Sequence, residues 1–231
     1  MSISEHNLAE NLYKNGNFKE AFDIYFNLAK SGDAKSQTSL GYLFQNGEGV
    51  EKDIEQAKFW YEEAVKQEYP MSFYNLGVLY LNSANNSQDE KTAFQLFLKS
   101  AILEIPQGQF ETAYMLEEGV GCDQSFPESA FWYEESAKRG NLEAFNNLGV
   151  LFRDGLGVDK SYEKAVHLFK RSADAGNSSA MYNLGFCFDN GFGVEKNSDM
   201  ALEYLRKASL QGNEKANQML EKLRDKGDFA F

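Results

Sequence analysis

Apolar and small residues recur along the chain at helical spacing, in segments that alternate with short polar turns. Phe145, Leu148, Gly149 and Phe152 make one such stripe, and Ala165, Leu168, Phe169 and Ala173 make the next. The spacing predicts helices over 4–14, 18–30, 34–46, 54–67, 71–82, 89–103, 107–118, 126–139, 142–154, 162–175, 178–190, 198–211 and 214–226. Several of the turns carry paired glycines: Gly47-Glu48-Gly49-Val50, Gly119-Val120-Gly121-Cys122, Gly155-Leu156-Gly157-Val158 and Gly191-Phe192-Gly193-Val194. Glycine supplies the positive φ that ends a helix, and the Val or Cys after it tucks back toward the core.

These segments repeat in register. Leu40-Gly41 returns as Leu76-Gly77, Leu148-Gly149 and Leu184-Gly185, at separations of 36, 72 and 36, with Thr112-Ala113 in the vacant place. Ala21, Ala57, Ala93, Ser129, Ala165 and Ala201 keep the same step, and so do Gly32, Gly140, Gly176 and Gly212. Glycine in mid-helix costs about 1 kcal/mol against alanine, so its recurrence at one phase marks a close crossing of backbones. Six periods of 36 account for 216 of the 231 residues, leaving only 15, so a single array is expected over 1–231. Its first unit, 1–32, is irregular; full repeats occupy 33–68, 69–104, 105–140, 141–176 and 177–212, and 213–226 is a capping helix. A helical hairpin of this size cannot bury its apolar face alone, so neighbouring hairpins must stack. The expected fold is all-α: a right-handed α/α superhelical solenoid of about six helical-hairpin repeats with a C-terminal closing helix.

The string Ala144-Phe145-Asn146-Asn147-Leu148-Gly149-Val150-Leu151-Phe152, with Gly155 to Val158 and Lys164-Ala165, resembles the Sel-one-like repeat (SLR) family, relatives of the tetratricopeptide repeats. Ala180 to Gly185, with Gly191 to Val194 and Met200-Ala201, does so too. Departures fall in the second full unit, where Asn82 to Ser87 replaces the glycine turn and Pro70 and Pro106 bracket it, so local irregularity is expected there. The first unit has a shorter, tetratricopeptide-like turn within Asn11 to Asn17. The resemblance implies a scaffold that binds protein, in roles from signalling and envelope assembly to quality control and host interaction. A cysteine-rich branch of the family is linked to β-lactam binding, but its per-repeat disulfides are missing from this chain.

In such a solenoid the first helix of each hairpin lines the inner face. Counting from the repeated glycine, a core ridge at four before, one before and three after leaves three before, one after and four after to face inward. Those phases hold Thr38, Tyr42 and Gln45; Tyr74, Val78 and Leu81; Phe110, Tyr114 and Glu117; Asn146, Val150 and Arg153; and Tyr182, Phe186 and Asp189. Of these, Tyr42, Tyr74, Val78, Phe110, Tyr114, Glu117, Asn146, Val150, Arg153, Tyr182, Phe186 and Asp189 form the expected partner-binding set. Aromatic rings along a groove bury much area at low entropy cost. In a tightly curved array the same rings would instead pack against the next repeat.

Twenty-three Lys and Arg stand against thirty-five Asp and Glu, a formal charge of −12, which opposes nucleic acid and anionic lipid as partners. Glu117, Glu118, Glu143, Asp154 and Asp189 lie on or beside the inward face, so the expected partner is a basic protein or peptide. No run approaches the roughly 18 apolar residues of a membrane span, and the opening residues are polar and acidic, so a cytoplasmic chain is expected. Cys122 and Cys187 are too few for a disulfide framework.

Chemistry is hard to find. His6 and His167 stand 161 residues apart, outside any His-Glu-x-x-His helix, and neither cysteine has a histidine in phase to activate it. Glu62-Glu63 and Glu134-Glu135 follow Trp60-Tyr61 and Trp132-Tyr133 two periods apart, which reads as a repeated solvated face rather than a glycosidase pair. The glycine turns lack the Lys-Ser/Thr of a phosphate loop. No catalytic residue, cofactor or metal is expected. The expected function is a non-enzymatic interaction scaffold or adaptor. The alternative is an immunity protein that neutralises a basic toxin, with a hydrolase third; oligomeric state stays open.

Overall fold

The computed structural model describes residues 5–83 and 86–225 of the chain. They form thirteen helices and no strand: α1 (Glu5–Lys14), α2 (Phe18–Lys30), α3 (Ala34–Asn46), α4 (Ile54–Val65), α5 (Pro70–Asn82), α6 (Ser87–Ile102), α7 (Pro106–Glu118), α8 (Phe126–Lys138), α9 (Leu142–Asp154), α10 (Tyr162–Asp174), α11 (Ser178–Asn190), α12 (Ser198–Leu210) and α13 (Glu214–Asp225). The expected ends at 4 and 226 lie outside the described residues, as do Ala84 and Asn85 of the irregular turn.

Two compact units emerge, one reaching Thr112 and including Val120–Cys122, the other comprising Ala113–Gly119 and the chain from Asp123 onward. Within the first, each helix from α1 to α6 packs on the next, and the first helices α3 and α5 also touch. Within the second, α8 through α13 pack in the same serial way. Both are stacks of antiparallel hairpins, so the fold is an all-α helical-repeat solenoid.

The two small-residue series do different work. Ala21, Ala57, Ala93, Ser129, Ala165 and Ala201 are all fully buried in the second helices. The mid-helix glycines are crossing points: a Cβ on Gly41 would lie 2.6 Å from the Tyr61 ring, on Gly77 2.8 Å from Phe97, on Gly149 2.7 Å from Phe169 and on Gly185 2.7 Å from Leu205. In every case the opposing side chain stands twenty residues later, on the second helix of the same hairpin.

The turns follow from backbone geometry. Gly47, Gly155 and Gly191 end α3, α9 and α11 in the left-handed region, each N–H returning to a carbonyl four residues back. The second glycine of each pair meets backbone instead. Gly49 abuts Phe18, Gly121 Glu90, Gly157 Phe126 and Gly193 Tyr162, always at the start of the previous hairpin's second helix, where no Cβ fits. Helices α5 and α7 begin one residue earlier than the spacing predicts, at Pro70 and Pro106, because proline is preorganised for the first helical turn. Helix α6 begins two earlier because the Asn86 side chain accepts hydrogen bonds from the N–H groups of Gln88 and Asp89.

The buried band of the first helices is wider than the ridge read from the sequence. Positions four and one before the glycine are buried, as expected. The position two after it, Leu43, Leu79, Met115, Leu151 and Cys187, is buried in every repeat, while the position three after is buried only at Leu116. Both lie one turn beyond the leucine, but only the nearer one points into the crossing with the second helix.

A further phase carries strain. Gly32, Gly140, Gly176 and Gly212 hold positive φ after the second helices, and the intervening places at this phase are filled by Glu68 at φ 54° and Glu104 at φ 65°. An L-residue in that region costs about 1–2 kcal/mol. Glu104→Gly should therefore raise the unfolding free energy in urea by about 1 kcal/mol, and Gly140→Ala, whose Cβ would meet nothing, should lower it by about 1 kcal/mol. A Glu104→Gly variant no more stable than the parent would show that the strain is relieved elsewhere.

Candidate functional site

In the first unit the odd-numbered helices present a cavity of about 330 Å³ lined by Tyr13, Thr38, Tyr42, Tyr69, Met71 and Asn75, among others. Tyr42 stands 43% exposed beside Tyr13, ring centroids 6.3 Å apart. Tyr74 is half-buried against Phe97, with centroids 5.8 Å apart, and Val78 and Phe110 are half-buried; Tyr74 and Val78 do not line this cavity. Thr38 is buried, its hydroxyl donating to the Ala34 carbonyl at 3.0 Å.

In the second unit Tyr114 is 44% exposed, and Glu117, Val150, Arg153, Tyr182, Phe186 and Asp189 are half-buried. Arg153, Tyr182 and Phe186 meet Tyr162 and Phe192 around a hollow of about 360 Å³. Tyr182, Phe186 and Asp189 also border a second hollow, of about 230 Å³, closed by Lys215, Met219 and Lys222 of α13. Asn146 departs from expectation, being only 8% exposed. Its amide is held by neighbouring asparagines instead.

Asn146 belongs to a continuous hydrogen-bonded chain within the second unit. The Tyr133 hydroxyl donates to Glu117 Oε2 at 2.7 Å, and Asn147 Nδ2 donates to the same hydroxyl at 3.0 Å. Asn146 Nδ2 donates to Asn147 Oδ1 at 3.2 Å, and Asn183 Nδ2 to Asn146 Oδ1 at 2.9 Å. Arg153 Nη1 donates to Asn183 Oδ1 at 3.2 Å while its other nitrogens fork onto Asp154 at 2.8 and 2.6 Å. Half-buried amides and ions of this kind hold their geometry only when each is paired. Burial pushes the Glu117 carboxyl above the usual carboxylate range, partly offset by the Tyr133 hydroxyl; Arg153 holds Asp154 below it.

The sequence reading passed over Asn147 and Asn183. The signal was present: asparagine recurs two residues before the glycine at 75, 147 and 183, a polar residue at fixed phase inside an apolar stripe. It also missed a contact of His6, whose Nδ1 lies 3.1 Å from Ser36 Oγ, which in turn donates to Asp33 Oδ2 at 3.2 Å. Ser36 is fully buried and hands its proton to the carboxylate, so these residues do not make an activated nucleophile.

The remaining reactive groups are quiet. Burial raises the Cys187 thiol to about 11. Arg139 and Lys138 hold Glu135 below the usual range, opposite to what a general acid requires. Among the described residues no group of three His, Cys, Asp or Glu is placed to hold a metal, and no helix is long and apolar enough to cross a membrane.

Comparison with known proteins agrees with this geometry. Residues 34–69, 71–104, 106–141, 143–177 and 178–213 match the model of the Sel1 repeat family. The crystal structure of a Sel1 repeat protein from Oxalobacter formigenes is similar at 26% identity and a TM-score of 0.88, over 96% of this chain and 88% of that one. A sel1-like repeat-containing protein of Acanthamoeba polyphaga mimivirus is 34% identical over 90 residues, 39% of this chain and 15% of that protein. An immunity protein from Pseudomonas aeruginosa shares the fold alone, at 19% identity and a TM-score of 0.54, over 90% of this chain and 84% of that one. The chain spans only part of the curated relatives it matches, 15%, 13% and 58% of three of them.

Removing the Tyr133 hydroxyl should expose the Glu117 coupling. In Tyr133→Phe the carboxyl loses a donor to its charged form, so its pKa rises further. Because the folded value lies above the unfolded one, about 4.3, the stability this group adds is complete below that pH and fades as pH rises through the folded value. The variant should retain that contribution to higher pH. Carbon-detected NMR titration of Glu117 reads the shift directly, and an unchanged titration would refute the coupling.

Proposed function

The chain belongs to the Sel1 repeat family, and from that premise we propose that it is a non-enzymatic, protein-binding scaffold whose repeats act as one array and whose partners lie against its odd-numbered helices. The observation that carries the reading is the pair Tyr42 and Tyr114. They stand at the same register two periods apart, at 43% and 44% exposure, large rings left open to a partner. Tyr74, Val78 and Phe110 in the first unit, and Val150, Tyr182 and Phe186 in the second, add half-buried apolar positions at the same phases, and Glu117, Asn146, Arg153 and Asp189 add polar ones in the second.

The charge on this surface supports a basic partner. Arg153 is neutralised by Asp154, and Asp189 stands beside Lys215 and Lys222. The carboxylates left without such cations near Tyr114 are Glu117 and Glu118, at the end of the same helix. A partner with Lys or Arg beside an apolar anchor suits it, the charges speeding encounter and the rings slowing release. Two thiols in place of a disulfide framework support a reducing, cytoplasmic setting. An inhibitor that occludes a single basic toxin would use the same surface, and a neighbouring gene for such a toxin would move the reading there; the adaptor role comes first because membership of the Sel1 repeat family supports it.

Panning a random dodecapeptide library on the purified chain tests the proposal. Peptides that lose binding on Tyr114→Ala should be rich in Lys and Arg next to aromatic or aliphatic residues. The loss should be about 30-fold, as for a buried aromatic hot spot worth about 2 kcal/mol, with the circular dichroism unchanged. Tyr114-dependent peptides rich in Asp and Glu, or no peptide sensitive to Tyr42→Ala or Tyr114→Ala, would overturn it.

A further inference from the structure

A second groove lies on the even-numbered helices of the second unit, apart from the tyrosine surface. It measures about 610 Å³, runs between α8 and α10, and has Phe145, Leu148 and Phe152 of α9 as its floor. Its rim sets three cations, Lys138, Lys164 and Arg171, against two carboxylates, Glu134 and Glu163, in a chain that is strongly acidic overall. Lys164 lies over the Phe152 ring, 5.0 Å from the centroid, and the Arg171 guanidinium lies 4.0 Å from that of Phe145. Of the rim carboxylates, Glu134 pairs with Lys138 of the same rim at 2.9 Å, and Glu163 accepts from the Ser161 hydroxyl at 3.0 Å.

Among the described residues neither Lys164 nor Arg171 has a carboxylate within ion-pair distance, and both are exposed. A guanidinium stacked on a ring keeps its N–H donors in plane at the edge, so a carboxylate can pair with it without disturbing the stack. Lys164, His167 and Arg171 fall at i, i+3 and i+7 on α10, a row about 10 Å long at about 1.5 Å per residue. We propose that this groove is a docking site for an acidic amphipathic helix, whose leucine-like side chains enter over Leu148 and Leu168 and whose carboxylates, seven residues apart, meet Lys164 and Arg171. Charge complementarity selects that occupant, and the surface is independent of the one built around Tyr42 and Tyr114.

The test uses the full chain and a fluorescein-labelled, N-acetylated fourteen-residue helical peptide of Glu and Leu, with the leucines on one face. Two companions serve as controls, one with every Glu replaced by Lys and one with every Leu replaced by Ser. Anisotropy should show saturable binding of the Glu-Leu peptide, weakened about tenfold or more by both control changes and by added salt. The double variant Lys164→Glu with Arg171→Glu should weaken it by about tenfold or more and improve binding of the Lys-Leu peptide. Tyr114→Ala should leave it unchanged, which separates this groove from the tyrosine surface. No binding at millimolar peptide, equal binding of the Lys-Leu peptide to the parent chain, or insensitivity to the double variant would each overturn the proposal.

Discussion

The structure depends on how closely two helices of a hairpin can approach. At Gly41, Gly77, Gly149 and Gly185 the missing Cβ leaves space that Tyr61, Phe97, Phe169 and Leu205 fill, side chains that are themselves fully buried. Core packing at this density tolerates added methyl groups poorly, so the crossing fixes the rotation of each first helix about its own axis. That rotation decides which positions face the second helix and which remain for a partner. The tyrosines at 42 and 114 stand on the open side because the preceding residue, or in the vacant place Ala113, is consumed by the crossing.

The same crossing also places hydrogen-bonding groups. Two of the residues at this crossing are Tyr, opposite Gly41 and Ala113, and each hydroxyl reaches an acceptor near the end of the first helix: Tyr61 donates to Gln45 at 2.8 Å, and Tyr133 to Glu117 at 2.7 Å. Where that place holds Leu81 or Arg153 the opposing ring is Phe97 or Phe169, with no hydroxyl to satisfy. A buried hydroxyl without an acceptor is costly, so the pairing is what the desolvation penalty demands. In the second unit the chain of bonds continues through Asn147, Asn146 and Asn183 to Arg153, so one polar network ties successive repeats together.

Much of this was readable in the residues themselves. Equal steps of 36 located the hairpins, the crossings and the turns, because small residues recur at those phases in most of the repeats. The gaps in the glycine series at Glu68 and Glu104 were equally visible, yet their strained backbone was not, since sequence does not report φ. What could not be read was non-local detail. Burial two residues after the glycine depends on the direction of the crossing, and the contact of His6 with Ser36 spans thirty residues. The stacking of Arg171 on Phe145 joins different helices whose separation no periodicity states.

The double-mutant cycle of Gly149→Ala with Phe169→Ala tests the crossing most directly. Alone, Gly149→Ala places a Cβ 2.7 Å from the Phe169 ring and should destabilise the chain to urea by about 1–3 kcal/mol. With Phe169→Ala the clash is gone, and the same glycine substitution should stabilise by about 1 kcal/mol through helix propensity. An alanine at 149 that costs the same in both backgrounds would contradict the account.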